Sequence, residues 1–311
     1  MATFIGPVAL SGIGQVMRKY AWLTGGEYIE YGQPFKGGSM VAFVLPVRPI
    51  VDLLKQYQKQ ATTATFLTIC ETETVHEDYQ MMFELGDTFH VASEYCATIL
   101  KRQFPQGNFP VLKLYAFPPG PAVKPHSLPD LTGKYVFYHI GNVIDPRKNT
   151  KTLIECFIRA QIPNSVLLLK ATCNQPVPWK IPGVVVIEGL LSEPELEWIH
   201  RVGHCYVSMA HSEGAGMGAI EAAMRHKPVI VPEYGATKEY VDAFLVPCKP
   251  AEVPQDDFLF KKGMMWSDPD PEMMVELMKR IAKSGPMKIS HSKTYLTMAE
   301  VPHNLLEITS K

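Results

Sequence analysis

A chain of 311 residues, 46% apolar and 20% charged, with a formal net charge of −1, has enough apolar side chains for two domain cores and lacks the broad basic field of a nucleic-acid binder. Its six cysteines (Cys70, Cys96, Cys156, Cys173, Cys205 and Cys248) are scattered, with no Cys-x-x-Cys pair and no histidine at ligand spacing, so free thiols in a reducing compartment are expected and a metal centre is not. The absence of a charged leader and of any apolar run approaching 18 residues predicts a cytoplasmic protein without a membrane span.

In chain order, residues 2–10 read as an apolar strand, Ser11-Gly-Ile-Gly14 as a turn and residues 15–23 as a helix. This opens a Rossmann-like unit in which Gly12 and Gly14 allow a close backbone approach, toward a substrate or simply within the turn. Met17 occupies the place of the third glycine of a dinucleotide fingerprint, which disfavours a nicotinamide-dependent oxidoreductase. Residues 40–45 and 65–70 read as buried parallel strands. Groups just beyond the carboxyl end of such a strand line a binding crevice, so Glu71, Glu73 and His76 are acceptor or cleft candidates; the competing reading is a polar cap on a helix over 77–85. Residues 87–102 give a strand, Ser93 as N-cap and a helix, and residues 110–115 a closing strand. The prolines between 118 and 129 mark a linker, which places a first domain at 1–122.

The alternation then restarts in a second domain predicted at 130–285, with residues 286–311 packing back on the first. Residues 135–140 form a strand, and 141–150 form a turn that brings the cations Arg147 and Lys148 to the start of a helix over 151–160. Strands follow at 166–170 and 184–187, and Ser192 with Glu195 makes a capping box for a helix over 193–202. Residues 206–210 lead into His211-Ser-Glu-Gly-Ala-Gly-Met-Gly-Ala-Ile-Glu221, a turn containing Gly214, Ala215, Gly216, Met217 and Gly218. That turn enters a helix from about 217 to 226 and then a strand at 228–232. Glycines before a helix let its free N–H groups meet an anion such as a diphosphate. Glu213 in the turn and Glu221 in the helix are acceptors suited to hydroxyl pairs. Asp268 and Asp270 form a D-x-D triplet, but the flanking Pro269 and Pro271 and the helix over 272–282 favour a turn and an N-cap over a metal site.

Glu213 and Glu221, inside S-E-G-x-G-x-x-x-x-E-A-x-x-x-x-x-P-V-I, resemble the E-x7-E signature of retaining group-1 glycosyltransferases, the family 4 type of the GT-B fold. Residues 141–149 resemble that family's G-R-x-x-x-x-K-G/N segment, with Gly141, Lys148 and Asn149 matching and Asn142 standing where arginine is usual. Residues 87–95 resemble its D-x-x-x-V-x-S-E-x, and residues 233–241 a glycine turn that ends in E-x-V. The resemblance implies an α/β protein of two facing Rossmann-like domains with a central cleft, donor in the second and acceptor in the first. It implies that Glu213 and the Gly214–Gly218 loop hold the donor sugar, Glu221 the ribose, Gly189, Leu190 and Leu191 the base, and Lys148 the diphosphate. Either Arg147 supplies the charge missing at Asn142 or the phosphate grip is weaker. The implied activity is metal-independent transfer of a hexose or pentose from a nucleotide-diphosphate sugar to the hydroxyl of a glycan, lipid or protein-linked sugar, without further cofactor. The alternative is a catalytically silent GT-B scaffold that binds a glycan or a protein partner.

Overall fold

Buried apolar runs that alternate with amphipathic helices build parallel sheets covered on both faces. The computed structural model of the chain shows two such sheets and describes residues 1–9, 11–114, 116–126, 128–172, 176–257, 259–293 and 305. One compact unit comprises Met1–Tyr115 and Ala251–Trp266 together with Leu305, and the other Ala116–Pro250 and Ser267–Thr294. Residues 251–266, inside the span expected for the second domain, thus group with the first.

The first unit contains β1 (Ala2–Gly6), α1 (Gly12–Thr24), β2 (Glu27–Glu30), β3 (Gly38–Phe43), α2 (Arg48–Gln58), β4 (Ala61–Thr68), β5 (His90–Val91) and α3 (Glu94–Gln103). Its strands run parallel in the order β2-β1-β3-β4-β5. Ser93 caps α3 as expected, its hydroxyl accepting from the Cys96 N–H. Three readings differ from the structure. The edge strand β2 was not expected, because only Ile29 of its four residues is buried and it carries almost no apolar signal. Residues 77–84 form a 3-10 helix rather than an α-helix. Of residues 110–115, the described ones, 110–114, form no strand: Pro110 has no N–H to give a ladder, and among them only the bridge between Val91 and Val111 is formed.

The second unit runs β6 (Tyr135–Gly141), α4 (Thr150–Ala160), β7 (Ser165–Ala171), β8 (Val184–Ile187), α5 (Glu193–Val202), β9 (Cys205–Val207), α6 (Met217–Met224), β10 (Val229–Pro232), α7 (Thr237–Tyr240) and β11 (Phe244–Val246). After β12 (Cys248–Glu252) and β13 (Met265–Pro269), which pair with each other, α8 (Pro271–Lys283) packs on α4. The six-stranded sheet has the order β11-β10-β9-β6-β7-β8, parallel throughout. Counted from β6, this is the doubly wound order 3-2-1-4-5-6, and the order reverses between β6 and β9. The capping box at Ser192 and Glu195 is present.

Of the closing segment expected on the first domain, Leu305 groups with the first unit, while Ile289, His291 and Ser292 bond within the second, to His226, Lys227 and Asp242. Beyond residue 293 only Leu305 is described, and it is buried. Cys70, Cys96, Cys156 and Cys205 are free and buried and Cys248 is free and partly exposed, whereas Cys173 lies outside the described residues. No described helix is long and apolar enough to cross a membrane.

Candidate active site

In an open parallel sheet the connections leave a crevice at the carboxyl ends of the two strands where the winding reverses. Here those strands are β6 and β9, and the loops that follow them carry the charged residues. After β6 the Asn142 carbonyl accepts from the Asp145 N–H, and the Asp145 carboxylate accepts from the Arg147 N–H at 2.9 Å. The resulting 3-10 turn over Pro146–Lys148 swings both cations toward the loop after β9. Lys148 Nζ lies 2.5 Å from Glu213 Oε1. Arg147 Nη1 lies 3.3 Å from Glu213 Oε2 and donates to the Ser212 carbonyl at 2.7 Å, while Nη2 lies 3.6 Å from Asp145. Two cations thus face two carboxylates in a nearly dry cluster: the four side chains are only 11–19% exposed. Burial by itself would raise the Glu213 pKa, but the charges of Lys148 and Arg147 outweigh it and bring it down to about 2, so the carboxylate is ionised.

The Glu213 loop is fixed by backbone from three directions. The His211 N–H donates to the Arg147 carbonyl at 2.8 Å. From β13, the Ser267 hydroxyl donates to the His211 carbonyl and the Ser267 carbonyl accepts from His211 Nδ1, both at 2.6 Å. From the turn before α7, the Ala236 N–H donates to the Glu213 carbonyl at 2.9 Å. Gly235 lies so close beneath that carbonyl that a Cβ would be 2.6 Å from its oxygen. Gly216, at φ +83°, starts α6 without a side-chain cap, leaving that helix end for an anion. Gly218 permits contact with the Tyr206 hydroxyl, which a Cβ would approach to 2.5 Å. Gly214 and Ala215 are buried in the same turn, and Met217 is half-buried.

Glu221, the fifth residue of α6, is 20% exposed, and its Oε2 lies 3.7 Å from Nε2 of the buried His200. After burial itself, the charges of Glu213 and Glu221 both push the Tyr206 hydroxyl well above its ordinary range, so both carboxylates flank one phenol. The Asn142 side chain is exposed, whereas Arg147 is buried. Gly189, at φ +80°, begins the loop after β8, where Leu190 is 69% exposed and Leu191 half-buried.

Two buried polar residues in this region were missed because each sits inside an apolar strand. His139 on β6 is 1% exposed; its Nδ1–H donates to the Val207 carbonyl at 2.9 Å, and its Nε2 has no hydrogen-bond partner. Burial and then the Lys148 charge lower its pKa to about 4, so the ring is neutral. Gly141 accommodates it, since a Cβ there would be 3.0 Å from Nε2. Lys170 at the end of β7 is 2% exposed and donates to the Ala171 carbonyl at 2.6 Å and the Gly189 carbonyl at 2.7 Å, pinning the loop expected to hold a base. A charged residue in an otherwise aliphatic run was the available signal for Lys170, and a lone histidine among aromatics for His139.

The remaining candidates belong to the first unit. Gly12 and Gly14 lie in the first turn of α1, where the Gly14 N–H donates to Ser11 Oγ at 2.9 Å and a Cβ on Gly14 would be 2.3 Å from the Val8 carbonyl. Gly14 thus allows the start of α1 to lie against the preceding loop, whereas a Cβ on Gly12 would meet nothing within 4 Å. Glu71 and Glu73 are held through their backbones, to Tyr95 and Met265 respectively. His76 caps the 3-10 helix and lines a cavity of about 650 Å³ with Thr74, Asp78, Asp256, Lys261 and Met264. Asp270 accepts from the N–H groups of Glu272 and Met273, the expected N-cap of α8, and among the described residues no cluster of three or more His, Cys, Asp or Glu could hold a metal ion.

No protein-family model and no curated protein matches the chain. Solved structures do match. WaaG, a glycosyltransferase involved in lipopolysaccharide biosynthesis, superposes with a TM-score of 0.60 at 10% identity, covering 100% of both chains. A UDP-forming α,α-trehalose-phosphate synthase from Burkholderia xenovorans gives 0.59 at 11% identity, covering 87% of this chain and 71% of its own. The GtfA/B complex gives 0.50 at 15% identity, and this chain spans 58% of that one's length. The chain therefore has the GT-B fold, to which these glycosyltransferases belong.

Proposed function

We propose that the chain is a retaining glycosyltransferase that moves a hexose or pentose from a nucleotide-diphosphate sugar to an acceptor hydroxyl. The observation that carries this reading is the Lys148–Glu213–Arg147 cluster, set at the reversal of the sheet beside an uncapped helix end. Bond cleavage at the anomeric carbon passes through an oxocarbenium-like transition state and leaves negative charge on the departing phosphate oxygens. Lys148 and the first N–H groups of α6 receive that charge from preorganised positions, which requires no metal. Arg147 is largely committed to Ser212 and Asp145, so it holds the loop as well as adding positive potential. Glu213 exchanges its Lys148 contact for hydroxyls of the donor sugar, Glu221 accepts from the ribose diol, and the Gly189–Leu191 loop borders the base. The acceptor, a glycan, lipid or protein-linked sugar, is assigned to the first unit, with the cavity at His76 as its starting place. A silent scaffold rests on the missing cation at Asn142, and Arg147 weakens that motive.

The test is thermal unfolding with UDP, GDP and ADP at millimolar concentration, for the native chain and for Glu221→Ala. A nucleotide at 100 times its Kd stabilises by about 2.7 kcal/mol. UDP is the first to try, because the trehalose-phosphate synthase of like fold is UDP-forming. Losing a charge-assisted contact to a diol costs about 2 kcal/mol, so Glu221→Ala should weaken the effective nucleotide about 30-fold. Equal affinity in the two proteins would remove Glu221 from the ribose site. No response to any of the three would favour the silent scaffold.

A further inference from the structure

The frame behind Glu221 is continuous and buried. On α5, Glu197 and His200 are three positions apart and on one face, and Glu221 on α6 and Arg225 at its C-cap, four positions apart, face them. Arg225 donates to Glu197 Oε2 through Nε at 2.9 Å and Nη2 at 2.6 Å, and through Nη1 to the Glu221 carbonyl at 2.8 Å. His200, 2% exposed, has Nε2 at 3.7 Å from Glu221 Oε2 and Nδ1 at 3.0 Å from the hydroxyl of Tyr138, which is fully buried on β6. Its ring also meets the Tyr138 ring edge-on, with centroids 5.5 Å apart.

Burial keeps the imidazole uncharged, so it carries one N–H. A carboxylate faces Nε2, which favours the hydrogen on that nitrogen, and Nδ1 then accepts from the Tyr138 O–H. Tyr138 thus fixes the ring by a hydrogen bond, and the Nε2 side of the ring faces the Glu221 carboxylate across 3.7 Å, a charge–dipole contact longer than a hydrogen bond. A glutamate side chain loses rotamer freedom when it is ordered, and that loss weakens binding if it falls on the binding step.

We infer that His200, oriented by Tyr138, is a positioning residue that holds the Glu221 carboxylate in its diol-accepting orientation before the nucleotide arrives. This rests on the proposed role of Glu221 as the ribose ligand. His200 itself touches no substrate; it acts by sparing the complex the cost of ordering Glu221.

The experiment is a double-mutant cycle read by titration calorimetry with the nucleotide diphosphate that stabilises the native chain. His200→Met should weaken binding about tenfold in the native background and leave it unchanged in the Glu221→Ala background, because there is no carboxylate left to position. Equal weakening in both backgrounds would mean that His200 merely supports the fold and would overturn the inference. If Glu221→Ala alone leaves affinity intact, the ribose assignment fails first and the inference falls with it. His200→Gln and His200→Asn carry the same test should the methionine variant not fold. Glutamine puts an amide N–H near the Nε2 position and should retain most of the affinity, whereas asparagine reaches only the Nδ1 position and should not. Matched losses from the two amide variants would also overturn the inference.

Discussion

Glu213→Ala is expected to abolish sugar transfer and to destabilise the second unit by about 3 kcal/mol. The loss of stability follows from what remains: Lys148 and Arg147, 15% and 11% exposed, would face each other without the carboxylate between them. Removing one partner of a buried ion pair costs roughly 3–5 kcal/mol, and the partial access of water to Lys148 places this case at the lower end. The isosteric Glu213→Gln keeps acceptor and shape but not charge, so it separates electrostatics from packing. The native carboxyl titrates near 2 against 4.5 for an ordinary glutamate. Its contribution is therefore complete above pH about 4.5 and disappears as pH falls toward 2. Denaturant titrations of the native chain and of the Glu213→Gln variant should differ by a constant amount from pH 8 to 5 and converge below 4.5. A difference that does not change on acidification would show that Glu213 is not held by its cations.

Gly235→Ala should be the most damaging change of a single hydrogen to a methyl near the site. Gly235 has φ +78°, where a side chain costs about 1–2 kcal/mol. The added carbon would also lie 2.6 Å from the Glu213 carbonyl oxygen, a backbone atom already fixed by Ala236. Relief requires moving the Glu213 loop, so donor affinity should fall at least about tenfold while stability falls by roughly 2–4 kcal/mol in total. Gly285 is the internal control: its φ is +73°, and a Cβ there would meet nothing within 4 Å. Gly285→Ala should show the conformational penalty alone and leave nucleotide binding untouched. If the two variants lose equal stability, the loop yields freely and its rigidity is not what positions Glu213.

How much of this was legible in the sequence depended on whether the signal was local. The turn and helix from Ser212 to Met224 were readable because glycines, carboxylates and a following aliphatic strand occur in order within a short stretch. Capping gave Ser93, Ser192 and Asp270 correctly, since the cap and its helix are contiguous. The partnership of Lys148 with Glu213 had no local signal: 65 residues separate them, and the resemblance pointed to one pocket without showing an ion pair. His139, Lys170 and His200 stayed hidden because a polar residue within an apolar run looks like an interruption until its partners are seen. Strands β2 and β12 were missed for the opposite reason, as neither has two consecutive buried residues. Over the eight residues from Glu77 to Glu84, apolar spacing did not separate a 3-10 helix from an α-helix.

Because β9 joins the sheet beside β6 only after β7, β8 and α5 have been made, synthesis delivers Arg147 and Lys148, with Asp145 as their one near carboxylate, long before Glu213. During that interval β6 is an edge strand with two cations just past its end, and such charges discourage pairing with other chains. The closure that ends this interval spans 65 residues and is a long-range, entropically costly step. Electroneutrality at the site is thus a late product of folding. The Lys148 amine should accordingly react with acetylating reagents in a chain that stops before Glu213 and resist them in the complete unit, making one side chain a reporter of whether the sheet has closed.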